Sequence, residues 1–206
     1  MDEPDTGMRA RLIEAGVELL GREGAQSLTL REIARQAGVS HGAPRRYFPT
    51  HLSLLSAIAR EGFTALTAQV TEALGESRIG ADADVGADAD VRGQLAALGR
   101  IYLHFALANR GMFELMFRHD LLESNELGLR ETSLPLFTVL VDLVARARHL
   151  PGDEARVAAG ALWANLHGIA QLWAWGSLPL AAGADGVESL LRAALDAHLG
   201  AAPARS

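Results

Sequence analysis

The sequence predicts an all-α protein, on three observations. Apolar residues recur at helical spacing along nearly the whole chain, with Ala and Leu dominant and Val and Ile rarely in alternation. Helix punctuation is dense near the N-terminus, where Thr29, Gly38 and Pro49 mark two short helices and the start of a long one. With 49% apolar and 21% charged residues, the 206-residue chain can bury a sizeable core, which excludes a disordered or collagen-like protein. The expected architecture is an N-terminal domain of three helices, joined by a long fourth helix to a larger helical body.

Each element has its own signal. Residues 1–7 begin Met1-Asp-Glu-Pro-Asp5 and are expected to be a disordered N-terminus. They lack the positive stretch and apolar run of a secretory signal, so a cytoplasmic location is expected. Over residues 8–22, Leu12, Ala15, Gly16, Leu19 and Leu20 share one face of a first helix, which stops at Gly24. Thr29-Leu-Arg-Glu32 is a capping-box pattern, in which hydroxyl and carboxylate each satisfy an orphan backbone donor, so a second helix should run from about Leu30 to Ala37. Gly38 can take the positive φ of a sharp turn, Val39 is an apolar plug, and Ser40 caps a third helix over His41 to Phe48. Pro49 breaks the chain. Thr50 then caps a fourth helix carrying Leu52, Leu55, Ile58, Ala59, Phe63 and Leu66.

Residues 76–91 are expected to form a loop, within which residues 81–91 repeat the pentapeptide ADADV on either side of Gly86. The alternating Asp resembles a calcium loop only superficially. Counted from Asp82, the sixth and twelfth positions hold Ala87 and Gly93, where such a loop needs Gly and Glu. Next come an amphipathic run from Gly93 to Leu107, an aromatic-rich helix near Gly111 to Phe117, and a long helix through Leu136 to Arg148 with Pro135 as a kink. Two C-terminal helices precede a tail at 201–206. In the first, Leu162, Leu166, Ile169 and Trp173 fall in one arc, while Gly160, Ala164 and Gly168 form a small-residue seam. In the second, Val187, Leu190, Leu191, Ala194 and Leu195 keep helical spacing. Together they suggest a helical-pair interface in a homodimer. Residues 157–184 contain no charged side chain, but Asn165, His167, Gln171 and Pro179 interrupt them, which favours a buried helix over a membrane span.

The chemistry lies near the N-terminus. The net charge is −6, yet residues 7–60 carry eight Arg against four Glu. A positive segment on an acidic body suits a protein of which one end meets phosphate. With no Cys, disulfides, thiolate metal sites and catalytic thiols are excluded. Ala34 stands four residues before Gly38, which lets two helices cross closely and marks a helix-turn-helix. Its second helix offers His41, Gly42, Ala43, Arg45, Arg46 and Tyr47, with no carboxylate, a composition suited to double-stranded DNA.

The run Thr29-Leu-Arg-Glu-Ile-Ala-Arg-Gln-Ala-Gly-Val-Ser-His-Gly-Ala-Pro-Arg-Arg-Tyr-Phe-Pro49, preceded by Leu12-Ile-Glu-Ala-Gly-Val-Glu-Leu-Leu20, resembles the DNA-binding domain of the tetracycline-repressor family over residues 8–56. Leu162-Trp-Ala-Asn-Leu-His-Gly168 resembles that family's WHG ligand-binding domain. The resemblance implies an all-helical homodimeric transcription factor, usually a repressor, with ligand binding and dimerisation over residues 57–200. A small molecule in its pocket releases the DNA operator. The family's DNA-facing positions fall on Thr29, Arg31, Ser40, His41, Gly42, Ala43, Arg45, Arg46, Tyr47, Thr50 and His51. Arg45, Pro44 and His51 stand where members commonly have Tyr, Leu and Lys; an imidazole holds less charge than Lys at neutral pH and makes a weaker phosphate anchor.

Phe105, Phe113, Met116, Trp163 and His167 are candidate lining for an apolar or aromatic effector, although each reads first as core. No cofactor is expected. No His, Asp or Glu pair has metal-ligand spacing, and Gly24-Ala-Gln-Ser27 lacks the strand of a nucleophile elbow. The residues alone leave two other readings open. One is an all-helical enzyme on an apolar substrate with His167 as general base; the other is a constitutive DNA-binding protein with a solid core.

Overall fold

A computed structural model describes residues 3–79 and 87–200. In chain order the helices are α1 (Glu3–Glu23), α2 (Leu30–Gln36), α3 (Ala43–Tyr47), α4 (His51–Ile79), α5 (Ala87–Ala108), α6 (Arg110–Met116), α7 (His119–Ser124), α8 (Leu129–Arg148), α9 (Gly152–Ala174), α10 (Ser177–Ala182) and α11 (Val187–Leu199). No strand occurs among the described residues, so the all-α expectation holds. Residues 1–2, the tail at 201–206 and the middle of the ADADV repeat lie outside them.

Some boundaries differ from the sequence reading. α1 already begins at Glu3, with Pro4 in the first turn, where its missing N–H is no loss. Helix also replaces both ends of the expected 76–91 loop, since α4 runs to Ile79 and α5 begins at Ala87. α7 and α10 went unanticipated because six residues are too few to display a period.

The chain divides into two compact units that do not follow chain order. The first takes the chain up to Ala65 together with Asn109–Ser133, and the second takes Leu66–Ala108 and everything from Leu134. In the first unit Leu12, Leu19, Ile33, Phe48, Leu54 and Ile58 are completely buried. α6 returns to pack on α1, and Gly111 makes that crossing close: a Cβ there would lie 2.9 Å from the Leu20 carbonyl oxygen. In the second unit α5, α9 and α11 pack on one another around Leu95, Leu103, Leu162 and Leu166. Leu191 and Leu195, expected at a dimer seam, are buried inside the protomer by this packing. A helical period identifies an apolar face but not the neighbour that covers it.

Candidate functional site

Thr29 caps α2, its hydroxyl oxygen accepting from the Glu32 backbone N–H at 3.1 Å. Only half of the expected capping box forms. The Glu32 carboxylate turns to Arg35, whose guanidinium holds it below the usual carboxylate range, and the Thr29 N–H donates to the Ser27 carbonyl instead. Gly38 takes φ +68° at the turn, and the Val39 N–H reaches back to the Ala34 carbonyl at 3.0 Å. α1 holds α3 from behind. The Arg9 side chain donates to the Tyr47 carbonyl and lies over the Phe48 ring at 4.5 Å, while Arg11 donates to the Ala37 carbonyl at 2.9 Å. With Pro44 and Phe48 buried, Ser40, His41, Gly42, Arg45 and Arg46 are left exposed, and Ala43 and Tyr47 half-buried. Thr29, Arg31, Thr50 and His51 are exposed as well.

The eight arginines of residues 7–60 sort by partner. Arg9 and Arg11 serve the backbone, Arg22 reaches Glu23 and Gln36, Arg35 pairs with Glu32, and Arg60 donates to the Leu127 carbonyl at 2.7 Å. Arg31, Arg45 and Arg46 make no ion pair or side-chain hydrogen bond among the described residues. All three are exposed.

Two expected contacts are engaged internally. His51 Nε2 donates to the Leu28 carbonyl at 2.6 Å. A carbonyl only accepts, so Nε2 carries a proton and is engaged inside the protein. The Thr50 hydroxyl caps α4 by accepting from the Ser53 N–H at 2.9 Å and gives its own proton to Glu126 at 2.8 Å. Sequence reasoning missed Arg9, Arg11, Ser53 and Glu126. Only Ser53, three residues after Thr50, carried a local capping signal.

The effector candidates fall in different units. Phe113 and Met116 belong to the first and are buried, with the Phe113 ring edge-on to Phe117 at 4.9 Å and Phe117 edge-on to Phe63 at 5.5 Å. Phe105, Trp163 and His167 belong to the second. There Trp163 Nε1 donates to the Tyr102 hydroxyl at 3.0 Å, and that hydroxyl meets His167 Nδ1 at 2.8 Å. Phe137 stands edge-on to Trp163 at 6.0 Å. Burial pushes the Tyr102 phenol up, against a smaller opposing pull from the Trp163 N–H, and burial pushes the His167 imidazole down. Both groups are therefore held neutral. An open cavity of about 550 Å³ in the same unit is lined instead by His104, Leu107, Ala108, Trp173 and Gly186 to Glu188, with Glu188 paired to Arg100 and His104 at its rim.

A pH dependence follows from His167. Its folded pKa lies below the unfolded value, so the unfolded chain binds more protons near pH 6.5 and stability is lost as pH falls through that range. The melting temperature of the wild type should drop between about pH 7.5 and about pH 5.5, and His167→Gln should flatten that drop. Parallel melting curves for the two proteins would remove His167 as the cause.

The model described as bacterial regulatory proteins, tetR family, matches residues 12–58, and the one described as tetracyclin repressor-like, C-terminal domain, matches residues 95–198. The chain belongs to the tetracycline-repressor family. It is accordingly a DNA-binding regulator and not an enzyme, which closes the reading of His167 as a general base. Regulators of the tetracycline-repressor family bind DNA and small-molecule effectors, typically as dimers. Among solved structures, a protein of unknown function from Rhodococcus sp. RHA1 is 33% identical, with a TM-score of 0.73 and 93% of each chain covered. The multidrug binding protein EbrR, complexed with imidazole, is 24% identical with a TM-score of 0.60 over 96% of this chain and 92% of that one. RolR in complex with resorcinol is 22% identical with a TM-score of 0.61 over 96% and 90%. At those identities the last two share the fold. No curated protein matches the chain. Among the described residues no helix is long and apolar enough to cross a membrane.

Proposed function

We propose that this regulator is a repressor that binds a palindromic operator as a homodimer, acts in the cytoplasm, and is released by a small apolar or aromatic effector. The observation that carries the operator reading is the sorting of arginines. Five of the eight are spent on internal partners, and Arg31, Arg45 and Arg46, on the two helices of the helix-turn-helix, have none among the described residues. Ser40, His41, Gly42, Ala43 and Tyr47 complete the surface offered to the major groove, and Thr29, Thr50 and His51 flank it.

Dimerisation is supported by the outward side of α9. Val157, Ala161, Ala164, Gly168, Leu172 and Trp175 recur there at helical spacing, with Val157 75% and Trp175 69% exposed. A Cβ at Gly160 or Gly168 would meet nothing within 4 Å. A contiguous apolar stripe of this kind on a protomer marks an interaction surface.

For the effector, the neutral Tyr102, Trp163 and His167 set with Phe137 nearby supports an uncharged aromatic molecule over an ion, and Phe105 belongs to the same unit. Phe113 and Met116 support it less, being packed into the first unit. RolR, a protein of the same fold, holds the small aromatic resorcinol. Release requires differential affinity: moving a 1:99 population to 99:1 takes roughly 5.5 kcal/mol between the two states. Selection of bound sequences from a random duplex library should recover a two-fold repeat, and a panel of neutral aromatics should contain members that weaken that binding. Recovery of no sequence preference would remove the operator reading. A recovered operator indifferent to every ligand would leave a constitutive binder.

A further inference from the structure

Resting on the operator reading, we infer that Arg46 reads a guanine in each half-site while Arg45 grips the DNA backbone. The inference comes from the placement of two adjacent, unpartnered arginines around one short helix. Pro44 and Phe48 are buried and define the inward side of α3. At about 100° per residue, Arg46 is turned roughly 200° from Pro44 and stands opposite the core, whereas Arg45 is turned roughly 100° and stands on the flank. Gly42, four residues before Arg46, shares its outward ridge, because the backbone at Gly42 is already helical with φ −84° and ψ −13°. A ridge made of Gly42 and Arg46 has no side chain at one position and a long planar fork at the other. The first lets the helix sink toward the base edges. The second presents two parallel N–H groups, the pattern that matches guanine O6 and N7. Arg45, on the flank, meets the wall of the groove, where phosphates stand. Among the described residues neither guanidinium has a carboxylate partner to give up on binding.

The test uses the full-length protein and an operator recovered by selection. Each half-site guanine is replaced in turn by 7-deazaguanine, which lacks the N7 acceptor. Wild type should lose about 10-fold or more in affinity at one symmetric position. Arg46→Ala should become indifferent to that replacement. Arg46→Lys keeps the charge without the fork, and should hold non-specific DNA as wild type does while losing the guanine preference. Arg45→Ala should keep the preference, bind operator and non-specific duplex more weakly by the same factor, and lower the salt slope by about two, one for each protomer. Melting curves confirm that each variant is folded, and because all three changes are on exposed side chains, a wild-type melt is expected. Retained 7-deazaguanine sensitivity in Arg46→Ala, or its loss in Arg45→Ala, overturns the division of roles and leaves the operator reading standing. Failure to select any operator overturns both.

Discussion

Replacing Ala164 with Arg should convert the proposed dimer to a monomer and lower operator affinity by about 100-fold to 10,000-fold, because two half-site contacts joined in one molecule become independent. Ala164 is exposed at the middle of the apolar stripe on α9. In an isolated protomer the new side chain projects into solvent, and Arg is nearly as good a helix former as Ala, so the fold should be untouched. In a two-fold dimer the stripe meets its own copy. Two guanidiniums would then be desolvated against each other with no carboxylate on the stripe to pair them. Light scattering should report the protomer mass, and the melting curve should stop depending on protein concentration. Half-site affinity should be unchanged, since the stripe lies on α9 and the reading residues on α2 and α3. A dimer that persists with full operator affinity would place the interface on another face.

The contrast between what could and could not be read from the sequence runs along the distance between partners. Thr29, Gly38 and Thr50 were legible because a cap or a turn is made by residues three or four apart. Arg9 and Arg11 were counted only as charge. Their partners are backbone carbonyls 38 and 26 residues away, and no local pattern records such a bond. The unit to which Phe113 and Met116 belong was hidden for the same reason: nothing in residues 109–133 announces that the chain returns there to the first unit. Trp163 and His167 were visible as a pair one turn apart, but Tyr102, which bridges them, is 61 and 65 residues away. His51 stands out as a departure from Lys, but its bond to the Leu28 carbonyl, 23 residues away, leaves no local pattern.

The same remote tie makes Phe48 the position where one substitution should cost the DNA-binding unit most. Its ring is completely buried, its N–H closes α3 on the Pro44 carbonyl at 2.8 Å, and the Arg9 guanidinium covers one face. Phe48→Ala removes the ring and leaves a cavity that a five-residue helix cannot close by itself, a loss of about 3–5 kcal/mol. Against a typical domain stability of about 5–15 kcal/mol that is a large share. Thermal unfolding followed by circular dichroism should show an early transition absent from the wild type. Operator binding at 25 °C should fall with the folded fraction and recover on cooling to about 10 °C, nearer the maximum of the stability curve. Arg9→Ala removes the covering cation together with its hydrogen bond to the Tyr47 carbonyl, and should shift the transition less, by on the order of 2 kcal/mol. Recovery on cooling is what separates Phe48 from Arg45 and Arg46. Those two are exposed and make no side-chain bond among the described residues, so their loss should weaken DNA binding at every temperature with the melt unchanged. A Phe48→Ala protein that melts like the wild type would mean that α3 is held by the Arg9 and Arg11 ties to the Tyr47 and Ala37 carbonyls and not by the buried ring.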